Sequence, residues 1–310
     1  MIKAPAKINL ALEVQGQRPD GYHDIHSIMQ SVRLHDVLVL ENRPIGLSVD
    51  CIPGNPVEQG AELYTGPETL VMPPSDKHNI VWKAAQLLME ATGISQGLHI
   101  TIKKAVPLAA GLGGGSSDAA AVLRGLNEFW ELGLSLDELI QIGRQVGADV
   151  PYCIVGGCAE VRGIGEVVAP LPPPSRWSVI LINPPAAVST ASCYRAYDKL
   201  PYPVFVDVDR LKRALIDQDI SETAESLGNS LEAVTLQKLP EVARLKQLLL
   251  DFGVLGALMS GSGPTLFGLA RTKEHAEVVF SKLECKLKQE QQREMTKVYL
   301  TEFVGPEIFS

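Results

Sequence analysis

Residues 7–14, KINLALEV, alternate without a break: Ile8, Leu10, Leu12 and Val14 fall on one face, and Lys7, Asn9, Ala11 and Glu13 on the other. A period of two marks a strand. Because successive side chains point to opposite faces, Lys7 and Asn9 share the polar one. The segment GQRPDGYH at 16–23 carries Pro-Asp-Gly, a tight-turn signal that presents Tyr22 and His23. A further strand is expected around residues 37–40. Residues 53–76, rich in proline, glycine and acidic side chains and without any period, read as a surface insertion.

Asn79 is placed to cap a helix through Trp82, Ala85 and Leu88 that Gly93 closes. Leu98, Ile100 and Ile102 alternate into a strand leading straight to PLAAGLGGGSSDAA at 107–120. Behind that stretch AAAVLRGLNEFW is a helix, and Ser135 with Glu138 forms a capping box for another, LDELIQIGRQV, stopped by Gly147. PLPPPS at 170–175 is the stiffest segment and the expected boundary between a domain at 1–170 and one at 176–310. Beyond it the pattern predicts a buried strand at 177–183 and a helix at 240–253 with proline in its first turn. Then come a strand, Gly/Ser turn and strand in GALMSGSGPTLFGL at 256–269, a helix from 273 to 290, and a last strand, KVYLTEFV. Strands and helices mix without regular alternation, which favours an α+β fold over a doubly wound parallel sheet.

Length and charge narrow the function. At 310 residues the chain exceeds what one core usually supports, so two domains with a cleft between them are expected. A net charge of −8 and an aromatic content of 5% disfavour nucleic acid and anionic membrane as partners, while leaving room for a local basic pocket around one phosphorylated molecule. No apolar run is long enough to cross a bilayer and the N-terminus lacks a signal-peptide pattern, so the expected location is cytoplasmic. The five cysteines are scattered. Cys153 and Cys158 sit close to Asp149 but have no histidine or further cysteine nearby, so they read as buried thiols and no protein metal site is expected.

The bare stretch at 107–120 is the strongest chemical signal. Four glycines within five residues let backbone N–H groups approach a ligand, and the helix behind them adds unsatisfied N–H groups and the positive end of its dipole. Ser116 and Ser117 add hydroxyls. Phosphate is the ligand this suits, although neither GxxxxGK[ST] nor GxGxxG is matched. A plain strand-to-helix turn is the alternative.

PLAAGLGGGSSDAA resembles the phosphate loop of the GHMP kinases, and PAKINLAL at 5–12 and GALMSGSGPTLFGL resemble that superfamily's N-terminal and C-terminal motifs. KINLAL, GQRPDGYHDIHSIMQSV, GLGGGSSDAA and GADVPYCIVGG together resemble its isoprenoid-precursor branch, which phosphorylates a tertiary hydroxyl of a cytidine-diphosphate-linked polyol. The fold this implies is a ribosomal-protein-like N-terminal domain with a left-handed β-α-β crossover beside a ferredoxin-like C-terminal domain. The implied cofactors are ATP and Mg²⁺, the latter held mostly by phosphate oxygens with Ser117 as one candidate protein ligand.

The resemblance also assigns roles. Pro107, Leu108, Ala109, Ala110, Gly111, Leu112, Gly113, Gly114, Gly115, Ser116 and Ser117 become the nucleotide cradle. Lys104, or Lys103 in the neighbouring register, becomes a basic residue near the adenine or phosphates. Asn79 becomes an adenosine contact, beside the capping role that already explains it. Asp149 becomes the base for the acceptor hydroxyl, against its alternative as a turn residue before Pro151. Lys7 would pair with Asp149 and keep it ionised, and Asn9 would hold the pair or the substrate. Tyr22 stacks on cytosine and His23 meets the base edge, with Tyr194 as a second ring and Thr190 a nearby hydroxyl. Ser260–Thr265 would brace the loop from the second domain, or form an ordinary inter-strand turn. Other superfamily members act on mevalonate, phosphomevalonate or homoserine, which have no nucleobase, so the Tyr22 and His23 pair is what separates the branches.

Overall fold

The computed structural model describes residues 1–64, 72–202, 204–290 and 296–309. In chain order the first half holds β1 (Ile2–Gln17), β2 (His23–Arg43), β3 (Leu47–Pro53), β4 (Glu62–Tyr64), α1 (Ile80–Thr92), β5 (Gly97–Lys104), α2 (Gly114–Phe129), α3 (Leu136–Val146), α4 (Val150–Val155), β6 (Cys158–Gly163) and β7 (Val167–Pro170). The second half holds β8 (Ser178–Asn183), α5 (Thr190–Tyr197), α6 (Val208–Ile216), α7 (Ile220–Glu225), β9 (Gly228–Asn229), α8 (Glu232–Lys238), α9 (Pro240–Asp251), β10 (Gly256–Met259), β11 (Leu266–Leu269), α10 (Lys273–Gln289) and β12 (Lys297–Glu302).

Among the described residues the strands form two sheets. The first runs β3-β5-β2-β1-β9, with β6 pairing β2 and β7 pairing β6. Its spine is the long antiparallel β1–β2 pair, interrupted by register shifts between Pro5 and Lys7 and between Asn9 and Ala11. One half of β2 pairs β5 and the other pairs β6, so a single 21-residue strand carries two neighbours. β3 and β5 lie parallel, joined through α1. The second sheet runs β10-β11-β8-β12-β4, and β8, α9, β10, β11, α10 and β12 reproduce the ferredoxin-like order. The fold is thus the mixed α+β, two-sheet arrangement expected from the sequence.

Local signals hold where they are local. Asn79 caps α1 by accepting from the Val81 N–H, and Gly93 closes it in the left-handed region at φ +72°. The Ser135 and Glu138 capping box is formed. Two expectations need correction. The strands predicted at 7–14 and 37–40 are fragments of β1 and β2, which are buried on both faces along their middles and exposed toward their ends. For the same reason the polar face of β1 is no solvated face: Lys7 is 4% exposed and Asn9 is fully buried. Finally, the 53–76 segment is in part structural. Gln59 and Ala61 are buried, and β4 hydrogen-bonds to β12 as the outer strand of the second sheet; residues 65–71 of that segment lie outside the described ones.

Two strands cross the expected boundary at 170–175. β4 leaves the first half to join the second sheet, and β9 returns from the second half to lie parallel beside β1 at Ala11 and Leu12. One buried apolar cluster takes Ile8, Leu10 and Ile28 from the first sheet and Leu181, Phe267 and Tyr299 from the second, so the halves share a core at their junction.

Candidate active site

The phosphate loop is held from two sides. From β1, the Lys7 N–H donates to Leu112 O at 2.9 Å. From the β10–β11 turn, Ser260 Oγ donates to Gly111 O at 2.9 Å, and the Thr265 N–H donates to Ala110 O at 3.3 Å. The Ser260–Thr265 turn thus touches the loop directly. Close approach explains the glycines: a Cβ on Gly111 would lie 2.2 Å from Ser260 O, and one on Gly113 would lie 2.8 Å from the Lys7 side chain. Both residues also have left-handed backbone, at φ +76° and +67°. Gly113 is the N-cap of α2 and supplies no side-chain cap, so the first N–H groups of a 16-residue helix open toward the loop.

Residues 107–116 form one wall of a cleft of about 820 Å³ between the two halves. Lys7, Asn9, Asp149, Tyr22, His23, Thr190 and Tyr194 line it as well. Lys7 Nζ donates to Asn9 Oδ1 at 2.7 Å and stands 3.4 Å from Asp149 Oδ2. Asn9 is fixed in turn, its Nδ2 donating to Ser27 Oγ at 3.0 Å and its N–H to Ser260 Oγ at 3.3 Å. Asp149 occupies the N-cap position of α4 yet makes no side-chain cap bond, and its carboxylate is 34% exposed. A carboxylate that neither caps its helix nor is sealed off is free to meet a ligand.

The other end of the cleft is aromatic. Tyr22 is 59% exposed, on a turn where its N–H donates to Asp20 Oδ1. The His23 and Tyr194 rings stack with centroids 4.7 Å apart. Burial, and secondarily the charge of Asp149, pushes the Tyr194 phenol above its ordinary range, so it is a neutral ring at physiological pH. Thr190 Oγ1 lies 3.1 Å from Ser262 Oγ, tying α5 to the β10–β11 turn.

Three expected contacts stand elsewhere. Lys104 is 1% exposed and lies behind the loop, donating to Asp36 Oδ2 and Asp118 Oδ2. Burial draws its pKa down, but the two carboxylates outweigh that and raise it. Ser117 Oγ donates to Pro5 O at 2.7 Å and does not line the cleft. Asn79 spends its side chain on the α1 cap and on Pro74 O, also outside the lining. The shared reason is that a lysine, a serine or an asparagine in a well-packed fold is first taken up by buried partners. The thiols near Asp149 are likewise structural: burial pushes Cys158 up to about 12 and Cys153 higher still.

Two charged cleft residues, Arg195 and Asp198, were missed in the sequence. Asp198, at the C-terminal end of α5, lies 2.7 Å from His23 Nε2. Its signal was present, since it follows Tyr194 by four positions and so shares a helix face with it.

A glycine-cradled phosphate loop at a helix N-terminus, a Lys–Asp pair below it and a ferredoxin-like second half describe a phosphotransferase built on two halves, and the chain belongs to the GHMP kinases. Residues 79–157 match their N-terminal domain and residues 211–289 their C-terminal one. The chain is therefore a small-molecule kinase, and ATP is its phosphoryl donor. It is 44% identical over 284 residues to the 4-diphosphocytidyl-2-C-methyl-D-erythritol kinase of Geobacillus kaustophilus (strain HTA426), covering 91% of this chain and 92% of that protein. It is 45% identical over 279 residues to the enzyme of the same name from Pelotomaculum thermopropionicum (strain DSM 13744 / JCM 10971 / SI), covering 89% and 91%. A crystal structure of 4-(cytidine 5'-diphospho)-2C-methyl-D-erythritol kinase superposes with a TM-score of 0.75 at 31% identity, over 97% of this chain and 98% of that one. Among the described residues no helix is long and apolar enough to cross a membrane.

Proposed function

We infer that this chain transfers the γ-phosphoryl group of ATP to the 2-hydroxyl of 4-diphosphocytidyl-2-C-methyl-D-erythritol, a step of the non-mevalonate route to isoprenoid precursors. The observation that carries the reading is the placement of the Lys7–Asp149 pair, 3.4 Å apart, in one cleft between the phosphate loop and the Tyr22, His23 and Tyr194 cluster. A phosphoryl donor on the loop and a nucleobase at the aromatic end would set the polyol between them, over Asp149.

The chemistry follows from that layout. Phosphoryl transfer asks the protein for positioning and for charge stabilisation more than for covalent help. The backbone N–H groups of the loop and of the α2 N-terminus hold the phosphates. Asp149 accepts the proton of the attacking hydroxyl, and Lys7, itself held by Asn9, orients that carboxylate and offers a cation to the acceptor oxygen. Magnesium, bound with the nucleotide, supplies charge neutralisation on the phosphates. Ser116 and Asp149 are hard oxygen donors lining the cleft, a donor type that suits this ion, and Ser117, turned to Pro5, is not in the lining. Tyr22 and Tyr194 hold the cytosine faces and His23 its edge, while Thr190 and Asn9 contact the remainder of the substrate.

The test is ADP release with Mg-ATP and 4-diphosphocytidyl-2-C-methyl-D-erythritol, beside mevalonate and homoserine, for the wild type and Asp149→Ala. Turnover is expected only with the cytidyl substrate and is expected to drop about a thousandfold in kcat in the variant. Turnover of mevalonate or homoserine in its place would defeat the substrate assignment. An unimpaired Asp149→Ala enzyme would remove Asp149 from the base role.

A further inference from the structure

We propose that Asp198 is a specificity-determining residue: its carboxylate holds His23 in the Nε2–H tautomer, so that Nδ1 presents a lone pair to the exocyclic amine of cytosine and opposes the carbonyl that uracil carries at the same ring position. The inference rests on the reading of the aromatic end of the cleft as a cytosine site, and extends it to how that site rejects the sister base.

The geometry restrains the imidazole twice from one helix. Nε2 lies 2.7 Å from Asp198 Oδ1, and the ring face stacks on Tyr194 with centroids 4.7 Å apart. Tyr194 and Asp198 lie four residues apart, at the last two turns of α5, so ring plane and ring rotation are set by the same element. The His23 side chain is 7% exposed and Asp198 34%. An ionised carboxylate only accepts, so the nitrogen facing it must carry the proton, and in a neutral imidazole the other nitrogen is then an acceptor. That other nitrogen, Nδ1, has no hydrogen-bond partner among the described residues, and it is not an atom sealed from solvent without one. His23 lines the cleft, which leaves Nδ1 for a ligand. Cytosine offers an N4 amine donor where uracil offers an O4 acceptor, so a fixed lone pair attracts the first and repels the second. A site with a committed donor or acceptor rejects the mismatched analogue more strongly than an apolar pocket does.

Two measurements test this on the full-length protein. Long-range ¹H–¹⁵N correlations of the His23 ring, assigned by their loss in His23→Gln, report the tautomer. Calorimetric titration with CDP and with UDP reports the discrimination. The wild type is expected to show neutral His23 protonated at Nε2 and to bind CDP at least about tenfold more tightly than UDP, the worth of one hydrogen bond. In Asp198→Ala the ring should become a tautomer mixture and the CDP preference should shrink about tenfold, with the loss for the cytidyl substrate appearing in KM rather than in kcat. Asp198→Asn, which preserves side-chain volume, should retain the fold and lie between the two. Equal weakening of CDP and UDP in Asp198→Ala, or an Nδ1–H or imidazolium signature in the wild type, overturns the inference. Turnover of the cytidyl substrate is read separately. If that turnover is present and the discrimination does not depend on Asp198, this inference alone fails; if the wild type neither turns over that substrate nor prefers CDP, the cytosine reading fails and this inference with it.

Discussion

At the scale of single residues, the loop glycines are constrained by different things and should respond differently to the same substitution. Gly111 has φ +76° and a built Cβ would meet Ser260 O, a backbone atom that cannot turn aside. Gly115 sits in the first turn of α2, where the nearest atom to a Cβ is Ile80 Cγ2 at an ordinary 3.6 Å. Alanine at 111 therefore pays for left-handed backbone, about 1–2 kcal/mol, and displaces the β10–β11 turn that braces the loop. Alanine at 115 gains helix propensity and leaves the fold intact. Denaturant titration should find Gly111→Ala destabilised by about 2 kcal/mol or more and Gly115→Ala at or above wild type, while ATP titration should find both weakened, because each residue faces the cleft. A Gly111→Ala protein of wild-type stability would mean that the turn does not constrain the loop.

At the scale of elements, the junction of β5, α2 and β2 is organised by a buried charge cluster. Asp36 Oδ1 accepts from the N–H groups of Ala105 and Val106, where β5 runs into the loop, and Lys104 joins Asp36 to Asp118 near the start of α2. Burial is the largest influence on Asp118, followed by the charges of Lys104 and Asp36, and the net effect holds its carboxyl well above the usual range. Lys104→Met leaves two buried carboxylates facing each other with no cation, a loss of about 3–5 kcal/mol. The sign with pH follows. A carboxyl whose folded pKa is raised contributes stability that is present at low pH and lost as pH rises, so the deficit of Lys104→Met should be larger at pH 8 than at pH 5.5 in urea titrations. A deficit independent of pH would contradict the carboxylate explanation. This cluster also shows what one-dimensional reading can and cannot see. The caps of α1 and α3, the glycine loop and the Lys7, Asn9, Asp149 set were legible because each depends on neighbours in sequence or on a motif. The burial of Lys104 was not, since one of its counterions lies 68 residues away on β2. The short strands β4 and β9 were missed for the same reason, being defined by distant partners rather than by any period of their own.

At the scale of the whole molecule, the cleft exists only while the two halves are held in register, and one clamp doing so is ionic. Glu160, on β6 of the first sheet, receives Lys212 Nζ from α6 at 2.7 Å, Arg162 Nη2 at 2.7 Å and His26 Nε2 at 2.7 Å, with the Asp209 carboxylate close by. Burial pushes the Glu160 carboxyl up, but hydrogen bonds from Lys212, Arg162 and His26 prevail and hold it down to about 2. In the unfolded chain a glutamate titrates at about 4.3. A depressed folded pKa contributes stability that is complete above the unfolded value and is lost as pH falls from there through the folded one. Wild type should therefore exceed Glu160→Gln in unfolding free energy at pH 7, and the gap should close between about pH 5 and pH 2. Because Lys212 belongs to the second half, amide exchange in α6 should rise in Glu160→Gln at pH 7 and rise in the wild type itself as the pH is lowered through that window. If the two proteins kept a constant gap across the window, Glu160 would be acting through packing alone, and the register of the halves would rest on their shared apolar core.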